Sequence, residues 1–315
     1  MWKFLLPLLF WVGSLAAEYP VAAETNNLVV HTATGSFDVS RKSLEALDQR
    51  IDALQMSTGV YLDSKAELYV APDRASYQAF AAGKGSLVEF SDAFYSSADQ
   101  RIYIRSSNEI WSNYGGIIIH EYTHWYLDQI LTHAPLWFHE GLATMNGGQL
   151  GLDRYYYYIR ERFWGNKMDL FRLAYEYPQA KQDWEMYYLT SFFAVKYMQD
   201  KDPQAWRDLW NSVANNYRQG RKTRFTAAFG TAYNSNLYSF SLEFTQASRR
   251  QAYIYLLTGL GSLVLTALPL LVIYAMIRQR RRMQALPDID LPVEETPPET
   301  ETVEKEKPTG EDSLD

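Results

Sequence analysis

The chain has 315 residues, 47% of them hydrophobic and 15% aromatic, and its 30 basic and 37 acidic side chains give a net charge of −7. No cysteine occurs, which excludes thiolate zinc sites, thiol catalysis and disulfide staples, so the fold must rest on burial alone. No basic face or stripe is present to follow a phosphate backbone, which argues against a nucleic-acid partner.

Residues 1–23 read as a secretory signal peptide: Lys3 precedes an apolar stretch from Leu5 to Val12, small residues follow, and cleavage after Ala16 or after Ala23 fits. Residues 24–111 predict a mixed α/β N-terminal lobe. Its elements are a strand at Asn27 to His31, a helix at Arg41 to Leu54, a strand at Glu67 to Val70, a short helix at Ala75 to Ala82 and a strand at Arg101 to Arg105. His31 falls on the first strand as a packed or surface residue.

The most informative stretch is His120-Glu121-Tyr122-Thr123-His124. Four helical steps of about 100° return His124 to within roughly 40° of His120, so both imidazoles can reach one metal ion. Glu121 projects beside them. Tetrahedral catalytic zinc takes three protein ligands and keeps a position for water, so another helix must bring the third. The chain turns at His133-Ala134-Pro135 and continues as Trp137-Phe138-His139-Glu140-Gly141-Leu142-Ala143, in which Glu140 is the expected ligand. His133 lies nine positions after His124, on the opposite face or in the turn, and His139 points about 100° from Glu140 on a helix and would line the cleft. A third histidine at position 130, with glycine at 127, would complete a longer zinc motif, but Ile130 and Leu127 stand there. Asp128 and Thr144 are candidates to orient the imidazoles through their second nitrogens.

Residues 112–248 predict the zinc helix and a helical lobe, with stop signals at Gly220 and Gly230. Tyr155 to Tyr158 with Phe163 and Trp164 form an aromatic-dense stretch, for helix packing or in part a hydrophobic substrate pocket. Residues 252–277 predict a transmembrane helix: Tyr253 to Ile277 carries no charge, Arg249 and Arg250 precede it, and Arg278, Arg280, Arg281 and Arg282 follow. The heavier basic cluster after the span puts the C-terminus in the cytoplasm and the folded part outside, at the cell membrane. Residues 278–315 hold eleven acidic and six basic side chains among scattered prolines and read as a disordered acidic tail, a solvated segment or a docking site for a cytoplasmic partner.

His-Glu-x-x-His followed by Glu140 inside Trp-Phe-His-Glu-Gly-Leu-Ala resembles the gluzincins, especially the peptidase MA-like families and the Trp-x-x-Glu-Gly-x-Ala segment of the aminopeptidase N family. The resemblance covers about Leu28 to Phe244 and is sharpest over 117–144. It implies an α+β, zincin-like two-lobed metallopeptidase domain, with one zinc ion per chain on His120, His124 and Glu140 and with Glu121 as general base. It also implies a tyrosine that stabilises the tetrahedral intermediate; the helix from Tyr188 to Tyr197 matches that part of the pattern and points to Tyr188, with Tyr187 adjacent. In zincins an edge strand pairs with the extended peptide substrate, and Arg101 to Arg105 stands in the corresponding place. The Gly-x-Met-Glu-Asn motif of the aminopeptidases is not visible upstream, which favours an endopeptidase. The function expected is therefore a membrane-anchored zinc peptidase acting outside the membrane on peptide or protein substrates. The alternative is a catalytically inactive gluzincin-fold protein that binds peptides or partners.

Overall fold

A computed structural model describes residues 19–33, 41–84, 91–110, 113–164 and 168–284. The first eighteen residues of the expected leader and the tail beyond 284 lie outside the described residues.

The chain is a mixed α+β protein. Its five-stranded sheet comprises β1 (Val21–Glu24), β2 (Leu28–Thr32), β3 (Ala66–Ala71), β4 (Ala93–Ser96) and β5 (Arg101–Arg105), in the order β1-β2-β3-β5-β4. The β2, β3 and β5 strands run parallel, while β1 and β4 close the two edges antiparallel. Strand alternation sorts the side chains: Leu68, Val70, Ile102 and Ile104 enter the main core, whereas Tyr69, Ala71 and Tyr103 turn to the opposite face and join Tyr19, Tyr77 and Phe94. The expected strands at 27–31, 67–70 and 101–105 match β2, β3 and β5 closely. Two strands of this sheet were not anticipated. The first, β1, takes in Val21 to Ala23 of the segment assigned to the leader, so only a leader ending at Ala16 leaves this strand whole. The second, β4, occupies the edge that was assigned to Arg101–Arg105; that strand lies inside the sheet between β3 and β4, which corrects the expectation.

Helices α1 (Arg41–Thr58) and α2 (Arg74–Ala81) complete this region, and α3 (Tyr114–Ile130) follows. Apolar residues surround α3 on nearly every side and it is buried accordingly. Polar tethers fix its rotation. Gln55 of α1 donates from Nε2 to Asn27 Oδ1 at 2.6 Å and to the Tyr122 hydroxyl at 3.2 Å, and the Tyr126 hydroxyl donates to Val60 O at 2.9 Å. With Tyr122 and Tyr126 committed to α1, the histidine face of α3 turns the other way.

That face meets α4 (Leu136–Gly147). Then come α5 (Leu152–Trp164), α6 (Trp184–Lys201), α7 (Pro203–Arg218), α8 (Phe225–Tyr233) and α9 (Leu237–Gln284). Short strands β6 (Leu131–Thr132) and β7 (Thr223–Arg224) pair parallel. Gly220 follows α7 as expected, but Gly230 lies inside α8, which instead ends at the left-handed Asn234, φ 48°. The expected boundaries at 248, 252 and 277 fall within one continuous helix, because nothing in 237–284 breaks the backbone ladder except Pro269, which α9 accommodates. This helix contains a stretch long and apolar enough to cross a membrane. The chain divides into two compact units, 1–258 and 259–315, and the described part of the second is helix throughout.

Asn113 joins α3 to α4. In a left-handed conformation, φ 45°, its Oδ1 accepts from Gly116 N at 3.1 Å and its Nδ2 donates to Gly147 O at 3.1 Å. A Cβ on Gly116 would sit 2.2 Å from the Asn113 side chain, so glycine there makes room for the cap. Asn113→Ala loses both bonds and strains the backbone, and should cost about 1–2 kcal/mol in thermal unfolding. Asn113→Gly keeps the backbone geometry and should cost less; equal losses in the two variants would remove the strain component.

Candidate metal centre

Each group in the centre is set by local packing. The pair α3 and α4 is linked by a turn in which His133, exposed and left-handed at φ 55°, is far from any ligand role. Pro135 precedes α4 and accepts from Phe138 N and His139 N through its carbonyl. Trp137 and Phe138 are fully buried: Trp137 stacks on Phe240 of α9 at 5.6 Å between ring centroids, and Phe138 packs on Phe225 of α8 at 4.5 Å. These aromatics anchor the first turn of α4. One turn later Gly141 touches α6, where an added Cβ would fall 2.3 Å from Ser191 O. Glu140 is therefore held between an aromatic anchor and a backbone contact that only glycine permits.

Glu140 faces the two histidines of α3. Its Oε2 lies 3.4 Å from His120 Nε2 and 3.6 Å from His124 Nε2, and the three ligand atoms all fall within 4.8 Å of one another. The side chains are 7%, 9% and 15% exposed respectively, so the cluster is nearly closed to solvent. A tetrahedral ion with bonds of about 2.0–2.2 Å separates its ligands by about 3.3–3.6 Å, so the two separations from Glu140 suit a shared divalent cation. They are long for direct hydrogen bonds. Glu140 Oε2 is in fact buried without a hydrogen-bond partner, an orphaned acceptor of the kind a cation would satisfy. Two imidazole nitrogens and one carboxylate oxygen form a donor set for zinc and neighbouring transition metals.

Electrostatics binds the cluster together. Burial raises the Glu140 carboxyl, but His124 and His120 outweigh it and hold the group well below the usual carboxylate range. Burial lowers the His124 imidazole, and Glu140 with Glu121 more than reverses this, leaving it above 6.5. Burial pushes Glu121 up, opposed by His120 and His124 and reinforced by Glu140, with the Tyr95 backbone amide drawing it down. His139 stacks on His124 at 5.9 Å and 12°, outside the trio of converging ligand atoms, and burial and the His124 charge push it down to about 4, so it forms a neutral wall of the centre.

Tyrosines cover the remaining side. The Tyr188 ring lies 6.2 Å from that of His120, and burial with the Glu140 and Glu121 charges raises its hydroxyl well above 10, so it stays a neutral donor. Tyr187 is fully buried with an unpartnered hydroxyl. Tyr177, between two 3-10 turns at Arg172–Ala174 and Lys181–Asp183, also reaches the centre: its ring stacks on Trp184 at 5.4 Å, and its hydroxyl is raised by burial and by contact with Glu140. No sequence signal marked Tyr177, which has no motif around it beyond the following Pro178. Asp128 serves a different purpose from the one expected, accepting from the Tyr95 hydroxyl at 2.7 Å and Gln100 Nε2 at 2.8 Å. His120 Nδ1 and Thr144 Oγ1 are both buried without partners.

A scan against protein-family models and a search of curated proteins found no match to this chain.

Protonation of the centre has a definite pH signature in metal-free protein. The stabilisation from His124 is complete below 6.5 and is lost as pH rises through its elevated folded value; that from Glu140 is present above 4.5 and is lost as pH falls through its depressed one. The pair thus stabilises the metal-free fold most between 4.5 and 6.5. Loading a divalent cation must expel the His124 proton, so affinity should already weaken at pH values above 6.5 as pH is lowered. Calorimetric titration with zinc in buffers of different ionisation enthalpy should show proton release near neutrality; none would mean that His124 is not a ligand.

Proposed function

We propose that this chain is a membrane-anchored zinc-dependent peptidase of gluzincin type, with a zincin-like two-lobed domain that hydrolyses peptide bonds on the extracytoplasmic side. The observation that carries the proposal is the meeting of His120, His124 and Glu140 around one small volume, with Glu121 buried beside them. A zinc ion held by these three would supply Lewis acidity to the scissile carbonyl and to the attacking water. Glu121 Oε accepts the proton of that water and returns it to the leaving amide nitrogen; burial raises its proton affinity toward what a general base needs. Tyr188 remains protonated across the working range and donates through its hydroxyl to the oxygen on which negative charge develops.

Substrate recognition is assigned to β4. It pairs with β5 alone among the described strands, leaving its outer edge free for an extended peptide, and Tyr95 of this strand borders Glu121. Backbone pairing of this kind reads main chain rather than side chains, which suits cleavage within unfolded segments. The apolar run of α9 anchors the protein, and the Arg278 to Arg282 cluster favours its cytoplasmic side.

Full-length protein purified in detergent should carry one zinc per chain and cleave an unfolded protein substrate. Glu121→Gln should keep the zinc and lower turnover by about 10²–10⁴-fold, the usual worth of a general base. Tyr188→Phe should lower turnover by about 10²–10³-fold, as loss of one oxyanion donor does. A preparation without divalent metal, or a glutamine variant cleaving at the wild-type rate, would refute the assignment.

A further inference from the structure

The aromatic-dense stretch of α5 packs on the part of α9 that leads into its apolar run. Arg162 Nη2 donates to Thr245 O at 3.1 Å and also to Ser248 Oγ; the Phe163 and Tyr253 rings lie 4.7 Å apart, and those of Tyr155 and Tyr255 lie 5.8 Å apart. Between α5, α6 and α9 is a cavity of about 420 Å³. Its walls are mainly apolar and aromatic, with Tyr158, Phe193, Tyr197 and Tyr255 prominent. Its size falls in the range of sites for small organic ligands.

The polar groups of this cavity are unevenly satisfied. Lys196 pairs with Asp200 at 3.1 Å and Lys201 pairs with Glu243, whereas Arg250 on the rim has no ion-pair partner among the described residues. The hydroxyl of Tyr158, a side chain only 1% exposed, is enclosed beside Ser248 and Arg162 and is not open to a ligand. A free cation at the rim of an aromatic wall suits an anion that carries an apolar chain. The position of the cavity names the source. Arg250 precedes Tyr253, where the uncharged run begins, by three residues, about 4.5 Å of helix rise. Tyr253 and Tyr255 stand where tyrosines collect at membrane interfaces.

We propose that this cavity binds one glycerophospholipid from the leaflet next to the folded domain, its phosphodiester on Arg250 and an acyl chain along Phe193, Tyr197 and Tyr255. The proposal rests on the membrane-anchored reading and goes beyond it, since peptide hydrolysis itself needs no lipid.

Full-length protein in bilayers of phosphatidylcholine and phosphatidylglycerol, released into non-ionic detergent, should retain one phospholipid per chain in native mass spectrometry. Arg250→Ala, at the exposed rim, should weaken that retention roughly tenfold, the worth of one charge-assisted hydrogen bond. Arg218→Ala, remote from the cavity, should retain lipid as the wild type does. Carbonate extraction separates the two readings: a chain washed from the membrane sinks both the anchor and the lipid site, whereas a chain that stays but retains no phospholipid sinks the site alone. Wild-type retention by Arg250→Ala, or equal binding of inorganic phosphate or detergent in place of lipid, would also overturn it.

Discussion

A carboxylate buried between helices must find compensating charge, and Glu140 is such a group. The histidines of α3 supply it, and their delivery depends on the rotation of that helix. Tyr122 and Tyr126 occupy the face toward α1, so His120 and His124 are left for the face toward α4. Trp137, Phe138 and Gly141 then hold the second helix at the required height. The charged cluster and the packing around it are thus one arrangement. Losing the close contact at Gly141 would disturb α6, which carries Tyr187 and Tyr188, as directly as it would disturb Glu140.

Much of the centre was legible in the sequence because its spacing is local. Two histidines four residues apart meet on any helix, and the segment around Glu140 announces itself through a short run of bulky and then small residues. The three parallel strands were legible for a similar reason, since short runs rich in β-branched, aliphatic and aromatic residues mark them, with strict alternation in Arg101 to Arg105. The two edge strands were not. In β4 only four residues, Ala93 to Ser96, pair with a neighbour, and they lie beside serine and aspartate that read equally well as a turn. That omission matters, since β4 rather than β5 borders Glu121.

Other features depend on contacts that no periodicity encodes. Tyr177 comes to Glu140 through an irregular segment, and tertiary packing stacks Trp184 on it and sets Tyr187 edge-on to it. Asp128 follows His124 at a helical distance that suits an imidazole, but Tyr95 and Gln100 engage it first. Gly230 has the composition of a stop signal, yet α8 continues through it because Phe225 and Phe229 before it are pinned in the core and Tyr233 beyond it stacks on Phe229. Composition proposes breaks; burial decides which occur.

The unbroken course of α9 bears on how the folded part can be released. Core contacts continue along this helix through Phe240, Phe244, Ser248 and Ala252, and the uncharged run begins at the next residue, Tyr253. No stalk separates the two. Shedding enzymes cut extended, loosely held chain, and here every peptide group between core and apolar run is already engaged in helix. Nicking upstream would strip away Phe240 and with it the ring stacked on Trp137. With the apolar run as the proposed anchor, the folded part would stay with it, and the proposed substrates would have to travel to it.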